Sequence, residues 1–80
     1  MIEIKVLGTG CPTCRMLELM VEKTVKKLGI DAEIEHVQNI DKILEYGILM
    51  TPALVINGEV KVNGRLPSEK QLIKYIQNPE

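Results

Sequence analysis

The sequence predicts an α/β domain in which four short strands and three helices follow one another as βαβαββα and the strands join in one small mixed sheet. Three observations carry this. Apolar residues recur at helical spacing after Pro12; Ala32 and Ile34 alternate with Glu33 and Glu35, as in a strand with one wet face; and Asn57-Gly58 follows the unbroken apolar run Ala53-Leu54-Val55-Ile56.

The first strand spans residues 2–7 and ends in the turn Gly8-Thr9-Gly10. Pro12 suits the first turn of a helix, where its missing N–H leaves no intrahelical bond unmade. From there Leu17, Met20, Val21, Thr24, Val25 and Leu28 form an apolar stripe, and Arg15, Glu18, Glu22, Lys23, Lys26 and Lys27 fall mostly on the other side. Met16 and Met20, near or on the stripe, read as core filler. Gly29 is the stop. The second strand, residues 32–37, reads as an edge, and His36 on its Ala32–Ile34 face reads as a structural histidine. A short helix over residues 41–46, with Ile40, Ile43 and Leu44, ends at Gly47. After Thr51-Pro52 the run 53–56 reads as a buried central strand, and residues 59–62 return antiparallel to it. Ser68 and Gln71 have capping-box spacing and open a final helix through Leu72, Ile73 and Ile76.

Eighty residues make one domain, 1–80, of a size that buries about 60% of the surface of its unfolded chain and leaves little room for an interior cavity. Function therefore lies at the surface. Ten basic residues against eleven acidic ones give a net charge of −1, and no stretch is dominated by Lys and Arg, which argues against nucleic acid. Residues 1–7 lack the basic head and unbroken apolar stretch of a signal peptide, and no segment approaches membrane-spanning length, so the expectation is a cytoplasmic monomer. Two cysteines in that compartment point to chemistry rather than to a disulfide scaffold.

Those cysteines stand together in Cys11-Pro12-Thr13-Cys14, at a helix start. Thiols at this spacing can oxidise to each other, and helix amides and dipole favour a thiolate on the outer one, Cys11. Cys14, nearly one turn further in, is expected to be partly covered by the segment 50–52. Two other readings compete. Two soft thiolates can hold Cu(I), with Met16 and Met50 as added thioethers, whereas structural zinc needs four ligands and the chain adds only His36. Alternatively the disulfide is a clip in a non-catalytic interaction module, although so short a loop closes little chain entropy. Gly8 and Gly10 form only part of a phosphate-binding loop, so no nucleotide or other cofactor is expected.

Through Cys11-Pro12-Thr13-Cys14 after the first strand, Thr51-Pro52 before the third and the Asn57-Gly58 hairpin, the chain resembles the thioredoxin superfamily over essentially its whole length. It is most similar to the small redox-active disulfide proteins of archaea and bacteria, and its brevity and Gly10-Cys11-Pro12 also look glutaredoxin-like. The resemblance implies a thioredoxin-like fold, a four-stranded mixed sheet flanked by three helices, with Thr51-Pro52 cis and packed against the active-site disulfide. It implies a thiol-disulfide oxidoreductase without metal or cofactor, in which Cys11 attacks and Cys14 resolves through a mixed disulfide with a protein or small-thiol substrate, and Gly10, Pro12, Thr13, Thr51 and Pro52 meet that substrate. Partners would be a disulfide-containing protein and a reductase. Thr13 and Asn63-Gly64-Arg65 replace the aromatic residue and the Gly-Gly, acid-bearing motif of glutathione-using glutaredoxins, which argues against glutathione. Gly10 stands where thioredoxins carry an aromatic residue, and Lys5 where they carry a buried acid; a solvated strand lysine is the expectation there. The loop is also similar to that of copper-chaperone domains, but those run βαββαβ and carry Met where this chain has Thr9.

Overall fold

A computed structural model describes residues 2–48 and 50–78. Strands β1 (Ile2–Leu7), β2 (Ala32–Val37), β3 (Ala53–Ile56) and β4 (Glu59–Asn63) are interleaved with helices α1 (Pro12–Leu28), α2 (Ile40–Glu45) and α3 (Glu69–Gln77). The sheet order is β2-β1-β3-β4, with β1 parallel to β2 and β3 antiparallel to both β1 and β4. The element order, the edge place of β2 and the central place of β3 are those the sequence predicts.

Strand alternation divides the core in two. Ile4 and Val6 of β1, with Leu54 and Ile56 of β3, meet Leu17 and Val21 of α1 and Leu72 and Ile76 of α3 on one face. Leu7, Val37, Ala53 and Val55 face the other way, under Ile43 of α2 and Ile48. With only six residues, α2 covers just the end of the sheet where β1 and β2 terminate, and Glu3, Glu33 and Glu35 stay exposed.

Local chemistry sets the element ends. Gly29 closes α1 in a left-handed conformation, φ 63°, its N–H reaching the Lys26 carbonyl. Asn39 caps α2 by accepting from the Asp41 N–H at 2.9 Å, which starts the helix at Ile40, one residue earlier than its apolar pattern suggests. Of the apolar residues expected to anchor α2, only Ile43 is buried; Ile40 and Leu44 stay on the surface. Both Asn57 and Gly58 have positive φ, as a two-residue hairpin turn requires. The Asn57 side chain accepts from the Glu3 N–H at 3.0 Å and so ties the hairpin to the start of β1. Strand β4 runs to Asn63, past a register shift opposite Leu54 and Val55. The expected capping box of α3 is present at Ser68 and Gln71. Met16 departs from expectation: it is 54% exposed and fills no core, because the stripe runs through Leu17 and Val21 and leaves its neighbour on the outer side.

Candidate redox site

The chain leaves β1 at Leu7 and enters α1 within a few residues. Gly10 takes a φ of 87°, a conformation that costs glycine little and other residues more. Cys11 is then the N-cap of α1, its backbone extended, with Pro12 behind it in the first turn. Its Sγ accepts from the Cys14 N–H at 3.1 Å, and its carbonyl accepts from the Arg15 N–H at 3.0 Å. A sulfur thus fills the place usually held by a serine or aspartate oxygen, at the positive end of the helix dipole, with no acidic residue in the first turn to oppose a thiolate.

Cys11 and Cys14 are joined by a disulfide, their Cα atoms 5.0 Å apart. Cys14 is 1% exposed and Cys11 partly exposed, so the two sulfurs differ sharply in what can reach them. Gly8 sets the depth of the inner one. A Cβ at Gly8 would lie 2.5 Å from the Cys14 Sγ and 2.8 Å from its Cβ. The Gly8 N–H is meanwhile held by the Val37 carbonyl of β2 at 2.9 Å, so the backbone cannot back away from Cys14 without losing that bond.

The Thr51-Pro52 bond is cis. Pro52 is buried and Thr51 half-buried, and the Pro52 carbonyl accepts from the Gly64 N–H at 2.9 Å, which ties this segment to the end of β4. Gly64 has φ 77°, and a Cβ there would come within 3.0 Å of the Met50 Cβ. Thr51 and Thr9 line the same apolar groove, about 200 Å³, with Ile40, Ile43, Leu44 and Ile48. Of the residues named from the sequence, Gly10, Pro12 and Thr13 lie exposed around Cys11, and Thr51 reaches the groove that the redox turn borders. Gly8 and Gly64 are the positions sequence reasoning missed. Gly8 reads as turn punctuation and Gly64 only as part of Asn63-Gly64-Arg65, and only three-dimensional neighbours reveal the lack of room.

Lys5 is engaged elsewhere. Its Nζ donates to the Tyr46 hydroxyl at 3.1 Å and lies 5.8 Å from the ring centroid. That hydrogen bond, ahead of the nearby Glu35 and Glu3 charges, holds the ammonium above the usual lysine range. A separate depression of about 380 Å³, lined by Lys5, Glu35, Val37, Lys42, Glu45 and Tyr46, includes neither cysteine. His36 sits between Glu18 and Glu22 of α1, at 3.6 and 3.7 Å. Among the described residues no group of three or more His, Cys, Asp or Glu side chains is arranged to hold a metal ion.

A family model described as a thioredoxin domain matches residues 2–77. The chain belongs to the thioredoxin family. A curated thioredoxin of Methanothermobacter thermautotrophicus is 43% identical over 76 residues, covering 95% of this chain and 99% of its own length. One from Methanocaldococcus jannaschii is 36% identical over 78 residues, covering 98% and 90%. The short length is therefore shared with relatives that carry the thioredoxin name. Among solved structures, thioredoxin-2 of the malaria parasite has the same fold, with a TM-score of 0.73 over 95% of this chain and 81% of its own at 17% identity. A protein solved in solution in its reduced form superposes with a TM-score of 0.61 at 27% identity, over 96% of this chain and 95% of its own. With its Cys11–Cys14 pair, this member of the thioredoxin family is a thiol-disulfide oxidoreductase with the expected four-stranded, three-helix α/β fold. Among the described residues no helix is long and apolar enough to cross a membrane.

Proposed function

We propose that this protein acts as a cytoplasmic monomer that reduces disulfides in protein substrates, with Cys11 as the attacking thiolate and Cys14 as the resolving one. The observation that carries the reading is the asymmetry of the pair: Cys11 is reachable and accepts a helix N–H, whereas Cys14 is buried against Gly8. The Cys11 thiolate attacks one sulfur of the substrate disulfide, and the other substrate sulfur leaves as a thiolate. Cys14, deprotonated, then attacks the Cys11 Sγ of the mixed disulfide. The first substrate sulfur departs as a second thiolate, and Cys11–Cys14 is left oxidised. Two electrons pass to the substrate, and a reductase returns them.

An extended substrate segment would lie across Gly10, Pro12 and Thr13, with its backbone beside Thr51 and Pro52 shaping the floor. The groove shared by Thr9 and Thr51 offers apolar contact beside the reacting sulfur, which suits a polypeptide better than glutathione. No cofactor or metal takes part in the exchange.

The test is a redox titration of metal-free protein against dithiothreitol and glutathione buffers, with free thiols counted, alongside Cys11→Ser and Cys14→Ser variants. A reversible two-electron transition is expected, with Cys14→Ser trapping a mixed disulfide through Cys11 and Cys11→Ser trapping none. Absence of reversible exchange in the wild type, or trapping through Cys14 instead, would overturn the assignment.

A further inference from the structure

Helix α1 keeps its charges in separate bands. Glu18 and Glu22 turn toward β2, where they flank the two ring nitrogens of His36. The outward face is different. Helical spacing aligns Pro12, Met16, Leu19 and Lys23 along one line, with Arg15 and Lys26 on one flank and Lys27 on the other. All seven are exposed, Met16 by 54% and Leu19 by 65%. Lys27 pairs with Glu69 at 3.1 Å, while among the described residues Arg15, Lys23 and Lys26 form no ion pair. The open sheet face on the other side carries Glu3, Glu33 and Glu35 around Lys5. The redox sulfur stands at the N-terminal end of the outer helix face, with Arg15 its nearest cation there and Lys23 and Lys26 about 17 and 21 Å along the axis from Pro12.

We propose that the outer face of α1 docks the protein with which Cys11 exchanges disulfides, and that this partner presents acidic residues around an apolar contact beside its own reactive sulfur. The inference rests on the oxidoreductase reading above and adds the chemistry of the partner. Continuity supports it: Met16 and Leu19 lie only about 6 and 10 Å along the helix axis from Pro12, which adjoins Cys11. A partner in contact with the Cys11 sulfur has this ridge as its nearest apolar ground on the helix side. Unpaired cations around that ridge favour carboxylates and repel lysine-rich surfaces, and a flexible thioether such as Met16 adapts to more than one apolar shape. Nucleic acid fits less well, since the face offers no aromatic platform for bases. Two apolar side chains also give a membrane little to bury.

The probes are two synthetic peptides, each with one internal disulfide and a leucine beside it, flanked by glutamates in one and by lysines in the other. Reduced protein should reduce the acidic peptide roughly tenfold faster at low salt, and the gap should close at high salt as the screening length shortens. The triple variant Arg15→Glu/Lys23→Glu/Lys26→Glu should reverse the preference, whereas Glu3→Lys/Glu33→Lys on the opposite face should leave it in place. Met16→Ser/Leu19→Ser should slow both peptides at every salt concentration. Circular dichroism establishes that each variant is folded. Equal rates for the two peptides in the wild type, or a preference unchanged in the triple variant, would overturn the docking surface while the enzymatic reading stands. Failure to reduce either peptide would instead break the enzymatic reading. Binding to phosphatidylserine vesicles or to a DNA oligonucleotide that the triple variant loses, without any peptide preference, would reassign the face to a lipid or nucleic acid surface.

Discussion

Replacing Gly8 by alanine adds a single methyl group at the tightest point of the redox site. That Cβ would sit 2.5 Å from the Cys14 Sγ, against at least 3.4 Å for an ordinary contact, a shortfall of about 0.9 Å; it would also meet the Cys14 Cβ at 2.8 Å. Neither neighbour yields freely. Cys14 is fixed by the helix and the disulfide, and Gly8 by its hydrogen bond to Val37. Overpacking of this kind costs about 1–3 kcal/mol, and each kcal/mol lowers Tm by about 4–8 °C in a domain of this size. Thermal denaturation of oxidised Gly8→Ala should therefore show a Tm lower by roughly 4–24 °C. Relief lies in moving Cys14, so the variant should also resolve mixed disulfides more slowly, measured as release of a Cys11-linked chromogenic thiol. A Tm within ~2 °C of wild type together with unchanged release would refute the view that Gly8 sets the position of Cys14.

Further outcomes follow from other contacts. Gly64→Ala places a side chain at φ 77° and against Met50, and should cost about 1–2 kcal/mol by urea denaturation; a neutral result would refute the demand for glycine at this position. Ser68→Ala removes the oxygen that accepts from the Gln71 N–H at 3.2 Å and should lower stability by about 1 kcal/mol. In the same melts, Gln71→Ala should show a smaller loss. The hydrogen bond to Tyr46 raises the Lys5 pKa on folding, so its contribution is complete below the unfolded-state lysine value of about 10.4 and fades as pH rises through the higher folded-state value. Wild type should therefore exceed Lys5→Met in stability at neutral pH, with the gap narrowing only above pH ~10.4. A gap that widens there would reverse the assigned sign.

Patterns confined to neighbouring residues were legible, and juxtapositions were not. The stripe through Leu17, Val21 and Thr24, the Asn57-Gly58 turn and the Ser68 cap each depend on residues a few positions apart, and each appears in the structure as the sequence predicts. Met16 illustrates the limit: one step of helical phase separates a core position from an exposed one, and the residue type is compatible with both. Ile40 and Leu44 show another, since apolarity does not reveal whether an opposing element exists to cover them. The cysteine pair was legible because spacing and a helix start suffice for its chemistry. What fixes Cys14 was not, because the demand on Gly8 comes from a side chain one helical turn into the next element. The banding of charge on α1 was half visible. Helical periodicity sorts polar from apolar, but that Glu18 and Glu22 turn aside depends on His36 of a strand distant in sequence.

On the roles proposed for the two cysteines, the N-cap sulfur of α1 is itself the reacting atom. In most helices the capping oxygen is a bystander whose charge never changes; in the proposed cycle the acceptor here passes from thiolate to mixed disulfide to disulfide in every turnover. A hydrogen bond to an ionised acceptor is about twice as strong as one to a neutral acceptor, so the first turn of the helix is tightest when the enzyme is ready to attack and relaxes once its sulfur is spent. The donor of that bond is the amide of Cys14. This one N–H is a built-in gauge of the catalytic cycle, its exchange rate and chemical shift following the charge on a sulfur that titration reports only indirectly.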